Sequence, residues 1–252
     1  MTEVYVDEND FNNGEKREDI SQADINKFLM GVYNWMALGL ALTGFTAWLV
    51  STQPKLLGII DDYPFILAVL TTMEMAMVFY FWRIFDNINA TIATIVFIVF
   101  SIGNGVLLSS ALMVYASETI ASVFFITAGM FIVSSLVGYF TKREIACFST
   151  YMMMGLLGLV LSALITFIMK YSIVNFIMSF GGVAMFTGMA AYHTQKVKRV
   201  AQTVKKGTEE GEKATIISAL ALYFSFITMF MAVLRLYEKR DELMEMIEKF
   251  KS

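Results

Sequence analysis

Charge disappears from long stretches of this chain, and the places where it returns decide what the chain can fold into. Uncharged windows run over 28–54, 63–82 (broken only by Glu74), 87–117, 119–141, 145–169, 171–195 and 214–234. About 20 apolar residues cross the hydrocarbon layer as a helix, so each window is long enough for one crossing. Every unpaired backbone polar group in lipid costs several kcal/mol, and windows this evenly apolar lack the alternation of barrel strands. The expectation is an all-α membrane protein, a bundle of seven transmembrane helices with short joints; Pro54 and Pro64 are confined to the first joint.

Composition agrees and removes several function classes. At 57% hydrophobic and 16% charged, the 252-residue chain is too apolar for an ordinary soluble fold. One cysteine, Cys147, permits neither an intramolecular disulfide nor a multi-cysteine metal site. One histidine, His193, cannot build a zinc hydrolase that needs two or three His ligands. A net charge of −3 argues against a general nucleic-acid binder. No Gly-rich phosphate loop and no G-x-S-x-G elbow is present. The last span also lacks a lysine between Lys213 and Arg235 for a retinal Schiff base. The expectation is a non-enzyme without cofactor or resident metal, whose first partner is the lipid bilayer.

Outside the windows the chain is polar. Residues 1–27 carry Glu3, Asp7, Glu8, Asp10, Glu15, Glu18, Asp19 and Asp24 against Lys16, Arg17 and Lys27, and read as a disordered acidic tail. No basic n-region precedes a short apolar core there, so the tail is expected to stay on the mature protein. With the N-terminus inside, the inner segments hold 12 Lys and Arg and the outer ones 7, which favours a cytoplasmic N-terminus. A last window that dips in and returns would put the C-terminal tail inside as well, and charge leaves that alternative open. Residues 238–252 alternate charges around Leu243, Met246, Ile247 and Phe250, the spacing of an amphipathic helix. This gives a tail over 1–27, a transmembrane domain over 28–237 and an amphipathic tail over 238–252.

Within the spans, Gly105/Ser109, Ser134/Gly138 and Ala184/Gly188 put small residues on one helix face, where backbones can approach closely. The Met-rich runs MEMAM and YMMMG read as pliable packing. Glu74 is the one charge inside a span, and a mid-bilayer acid must face the bundle interior, be protonated or pair. It stands either as an ion or proton site or as a hydrogen-bond partner of Asn104, Ser109 or Ser110. Arg83 ends the same span, but nine helical residues separate it from Glu74 by about 13 Å of rise and half a turn, so the two do not pair in one straight helix. It reads either as a snorkelling anchor or as a functional cation. His193, three residues before Lys196, is an interfacial polar residue or the side chain best suited to titrate near neutral pH.

The run SSALMVYASETIASVFFITAGMFIVSSLVGYFTKRE, then YMMMGLLGLVLSALI, MAAYHTQKVK and LALYFSFITMFMAVLRLY, resembles the transmembrane Bax inhibitor motif family in its bacterial branch. The similarity spans about 28–237, and T-A-G-M-F followed by T-K-R-E makes it specific. The resemblance implies a seven-helix fold with the last helix surrounded by the other six, in an inner or organelle membrane. It further implies a pH-sensitive calcium leak, a part in stress and cell-death control and, in bacteria, regulation of a membrane protease.

The family typically reads Y-D-x-Q at the end of the sixth helix and L-Y-x-D-F-I-N in the seventh, and its two aspartates form a proton-sensing pair. Here the corresponding residues are Tyr192-His193-Thr194-Gln195 and Leu222-Tyr223-Phe224-Ser225-Phe226-Ile227-Thr228, so both acids are gone. Arg83 resembles the family's arginine near the end of the second helix. The candidate ion-pathway or gating residues are therefore Glu74, Arg83, His193 and Ser225. Two functions follow as expectations: a leak for calcium or another cation with altered or lost pH sensing, or a non-conducting interaction protein. In the second, the acidic tail and the basic 196–213 loop bind a membrane protease or another membrane complex.

Overall fold

A computed structural model describes residues 21–53, 88–141, 172–204 and 207–251, with side chains described over 21–53, 88–141, 179–204 and 207–238. These residues form five α-helices: α1 Gln22–Ser51, α2 Ala90–Val114, α3 Ser117–Phe140, α4 Ser172–Ala201 and α5 Glu209–Lys251. Each falls on one of the uncharged windows. The windows 63–82 and 145–169 lie outside the described residues, as do both Met-rich runs. Four of the helices, α1, α2, α3 and the Glu209–Glu238 part of α5, are long and apolar enough to cross a membrane.

Helix ends are set by local chemistry, and two of them run past the expected limits. α1 starts at Gln22, inside the stretch assigned to the acidic tail, because Ser21 caps it: its Oγ accepts from the Ala23 amide at 3.2 Å. Asp24 in that first turn adds a favourable interaction with the helix dipole. α5 starts behind Gly207, whose φ of 89° turns the chain, and Thr208, whose Oγ1 accepts from the Gly211 amide. Glu209, Glu210 and Glu212 occupy its first turn. Between α2 and α3 only Tyr115 and Ala116 intervene, and Glu118 stands at the start of α3, where its charge suits the N-terminal end.

The last apolar window does not dip and return. α5 is one continuous helix of 43 residues, about 64 Å long at 1.5 Å per residue, and it includes the segment expected as an amphipathic tail. It packs against all four other described helices, and 61% of its apolar window is buried, against 28%, 33% and 28% for α1, α2 and α3. Tyr223, Leu222 and Met229 on α5 are completely buried. The outer helices instead expose Phe45, Trp48, Ile95, Phe125, Val133 and Phe140. In water so much apolar surface would drive association; facing lipid tails it is the expected exterior.

Helix direction follows from paired contacts. The edge of Trp35 meets Phe97, Thr43 donates to the Ser101 carbonyl, and Gly105 lies against Thr43 and Thr46. Both residue numbers climb together, so α1 and α2 are parallel. α2 and α5 are parallel as well, since Phe97 and Phe100 meet Tyr223 while Tyr115 reaches Glu238. The last turns of α3 and α4 coincide, with Lys198 on the Tyr139 carbonyl and Gln195 on that of Thr141. Close approach there depends on Gly138, where an added Cβ would run into the Ala191 backbone. The expected notches at Gly105 and Gly138 are thus both used; Ala184 is exposed.

Candidate functional site

Polar residues inside a bundle satisfy themselves along their own helix first. Thr127, Ser134 and Thr187 each donate to the carbonyl four residues back. Those that also reach a second helix mark the site. His193 Nδ1 lies 2.6 Å from Ser225 Oγ, joining α4 to the central helix, and both side chains are buried. Ser225 Oγ donates its single proton to the Ala221 carbonyl at 2.9 Å. Its lone pair therefore faces the imidazole, and Nδ1 is the donor in the pair. The ring of Tyr192 flanks the imidazole at 5.4 Å between centroids.

The contact requires the two helices to be staggered, and they are. His193 is eight residues before Ala201, whereas Ser225 is sixteen past Glu209. At 1.5 Å per residue, α5 starts roughly 12 Å further from the contact than α4 ends. The polar joint between them is thus carried beyond the end of α4.

The two residues after His193 bind elsewhere. Thr194 Oγ1 lies 3.2 Å from Ser135 Oγ on α3, and the Tyr33 hydroxyl of α1 stands near both. Gln195 Nε2 donates to the Thr141 carbonyl at the end of α3. Three successive residues of α4 thus fasten it to α5, to α3 at Ser135 and to the end of α3. A second node lies on the other side of α5. Thr43 Oγ1 donates toward the Gly39 and Ser101 carbonyls, which only accept, so the Tyr223 hydroxyl 2.7 Å away is the donor to Thr43. These partners of Thr43, Tyr33 and Thr194 went unmarked in the sequence. The only signal was polarity within a charge-free window.

Of the four candidate residues, the structure brings His193 and Ser225 together. Glu74 and Arg83 lie outside the described residues. Asn104, Ser109 and Ser110, considered as partners of Glu74, each donate to a carbonyl of their own helix. Among the described residues no three His, Cys, Asp or Glu side chains converge as a metal site would require. The His193–Ser225 pair offers one aromatic nitrogen and one hydroxyl, a neutral set well suited to fixing helix register and poorly suited to a hard divalent cation, which prefers carboxylate oxygens.

Comparison with known proteins agrees with the residues quoted above. The family model described as inhibitor of apoptosis-promoting Bax1 matches residues 25–242. The inner membrane protein YbhL of Escherichia coli K12 is 34% identical over 220 residues, 87% of this chain and 94% of its own. Uncharacterized proteins of Rickettsia prowazekii and Borreliella burgdorferi are 31% and 30% identical, over 86% and 85% of this chain and 92% and 93% of theirs. A match over nearly the whole bundle, on a chain whose apolar helices surround a buried last helix, identifies it as an integral, multi-pass membrane protein of the Bax inhibitor family.

Proposed function

We propose that this chain is a Bax-inhibitor-type leak of a bacterial inner membrane, passing calcium or another cation, in which a neutral imidazole–hydroxyl bond replaces an acidic sensing pair. The observation that supports it is the 2.6 Å bond between His193 and Ser225. The positions that carry two aspartates in the family pattern still face each other across α4 and α5, so the framework that holds such a pair in register is retained. The bond itself acts as a tie and not as a nucleophile. Ser225 is 0% exposed, and a substrate would have no approach to it.

In this reading the bundle has seven spans. The two further spans are the uncharged windows 63–82 and 145–169, each long enough for one crossing at about 20 residues. The excess of Lys and Arg on the side of the α4–α5 joint favours a cytoplasmic N-terminus. Glu74 is then the remaining intramembrane acid along the path.

A second reading, a non-conducting protein that binds a membrane protease or a stress-response complex, is favoured by one observation. Neither 193 nor 225 supplies a carboxylate to a passing cation. Calcium entry into vesicles holding the purified protein separates the two. The leak reading expects entry above that of protein-free vesicles, reduced in Glu74→Gln while thermal stability stays nearly unchanged. No entry leaves the interaction protein, and a large stability loss with unaltered flux assigns Glu74 to packing.

A further inference from the structure

The ends of α3 and α4 border an open polar recess of about 150 Å3 lined by Thr141, Gln195, Lys198, Arg199 and Gln202. An apolar cavity of that size in another protein holds a benzene molecule, so the space suits a phosphate group. No acid lines it. We propose that this recess binds a phosphate-bearing anion, with Lys198 as the anchoring charge and Gln202 at its mouth. The site is separate from the His193–Ser225 pair, and it stands whether or not the bundle conducts.

The case begins with Lys198. Its ammonium is half-buried, donates to the Tyr139 carbonyl at 2.8 Å and lies 4.3 Å from the centroid of the Tyr139 ring. Carbonyl and ring fix its position without neutralising it, and no carboxylate reaches it among the described residues. An ammonium has three N–H donors, so two remain beyond the one given to Tyr139. A partly desolvated cation held in a fixed place gains most from an anion with several oxygens.

The C-terminal end of α3 would by itself repel an anion, because its last carbonyls carry partial negative charge. Here Lys198 occupies the Tyr139 carbonyl and Gln195 that of Thr141. Two of the carbonyls at this end are therefore covered by donors, and the described side chains that line the recess are cationic, amide and hydroxyl. Basic pockets between spans at a membrane surface take up anionic lipid head groups, while a soluble phosphate has the same chemistry.

Native mass spectrometry of the purified full chain, mixed with phosphatidylglycerol or phosphatidylcholine of matched acyl chains, tests the lipid source. Thermal stability in inorganic phosphate tests the soluble one. Retention of phosphatidylglycerol over phosphatidylcholine assigns a lipid head group, and a phosphate-dependent rise in melting temperature assigns a free anion; either upholds the site. The preference should fall about fivefold in Lys198→Gln, the effect of one cation near a membrane surface. Lys198 also caps α3, so a second variant is needed that leaves the cap alone. Gln202→Glu places a carboxylate at the exposed mouth and should abolish the preference with the fold intact. Equal retention of both lipids with no phosphate effect overturns the proposal, as does a preference that survives Gln202→Glu.

Discussion

His193 and Ser225 meet in one buried hydrogen bond between α4 and α5, and in the function proposed above this bond stands where the family pattern has an acid pair. Two carboxylates held together share one proton, because the first ionisation opposes the second, and their titration belongs to the pair. His193 and Ser225 have no such coupling, because a hydroxyl has no second ionisation to oppose that of the imidazole. Any flux should therefore be unchanged between about pH 6 and 8, or follow His193 by itself and lose its pH dependence in His193→Gln. Because the two side chains already lie 2.6 Å apart, His193→Asp with Ser225→Asp should create a pH response that neither single change produces. Flux measured in vesicles across that range decides it. A steep wild-type response that survives His193→Gln would move the sensor elsewhere, with Glu74 next to be tested.

At the scale of elements, α5 is the member on which the others are assembled, and Tyr223 shows what holds them. Its hydroxyl donates to Thr43 on α1, and its ring meets Phe97 and Phe100 edge-on. Interhelical hydrogen bonds in membranes contribute about 0.6 kcal/mol on average and about 1.7 at most. Emptying a large aromatic site costs about 3 to 5 kcal/mol. Shape outweighs the hydroxyl, so Tyr223→Phe should lower stability slightly and Tyr223→Ala severely, as read by unfolding in detergent; equal losses would assign the node to its hydrogen bond. The presence and order of the described helices were legible in the sequence because lipid forbids charge along a span. Their ends were less so: α1 begins before Phe28 and α5 runs through Glu238, since charged residues continue a helix once it leaves the hydrocarbon. The notch at Gly138 was legible from its spacing with Ser134. The meeting of Thr43 with Tyr223 was not, because one hydroxyl 180 residues from another leaves no periodic trace.

For the whole molecule, the continuity of α5 fixes a relation that charge counting left open. A helix of 43 residues is about twice as long as a crossing needs, and its Glu209–Glu238 part contains the apolar window. Its two ends therefore emerge on opposite faces of the membrane, whichever face is cytoplasmic. Tyr115 supports this from the other side of the bundle. It follows α2, which is parallel to α5, and donates to Glu238 Oε2 at 2.6 Å, so the α2–α3 corner and the far end of α5 share one surface. In the orientation proposed above, which the Lys and Arg excess favours, the α4–α5 joint is inside and that corner outside. Single cysteines at Thr203 and at Ala116, in a Cys147→Ser background, should then label with opposite sidedness in intact cells: Ala116→Cys reacts with an impermeant maleimide, and Thr203→Cys reacts only after permeabilisation. Reversed labelling would keep the bundle and invert its orientation. Labelling of both from one side contradicts the path of α5 itself, because no continuous helix of that length can hold its joint and the α2–α3 corner on the same face.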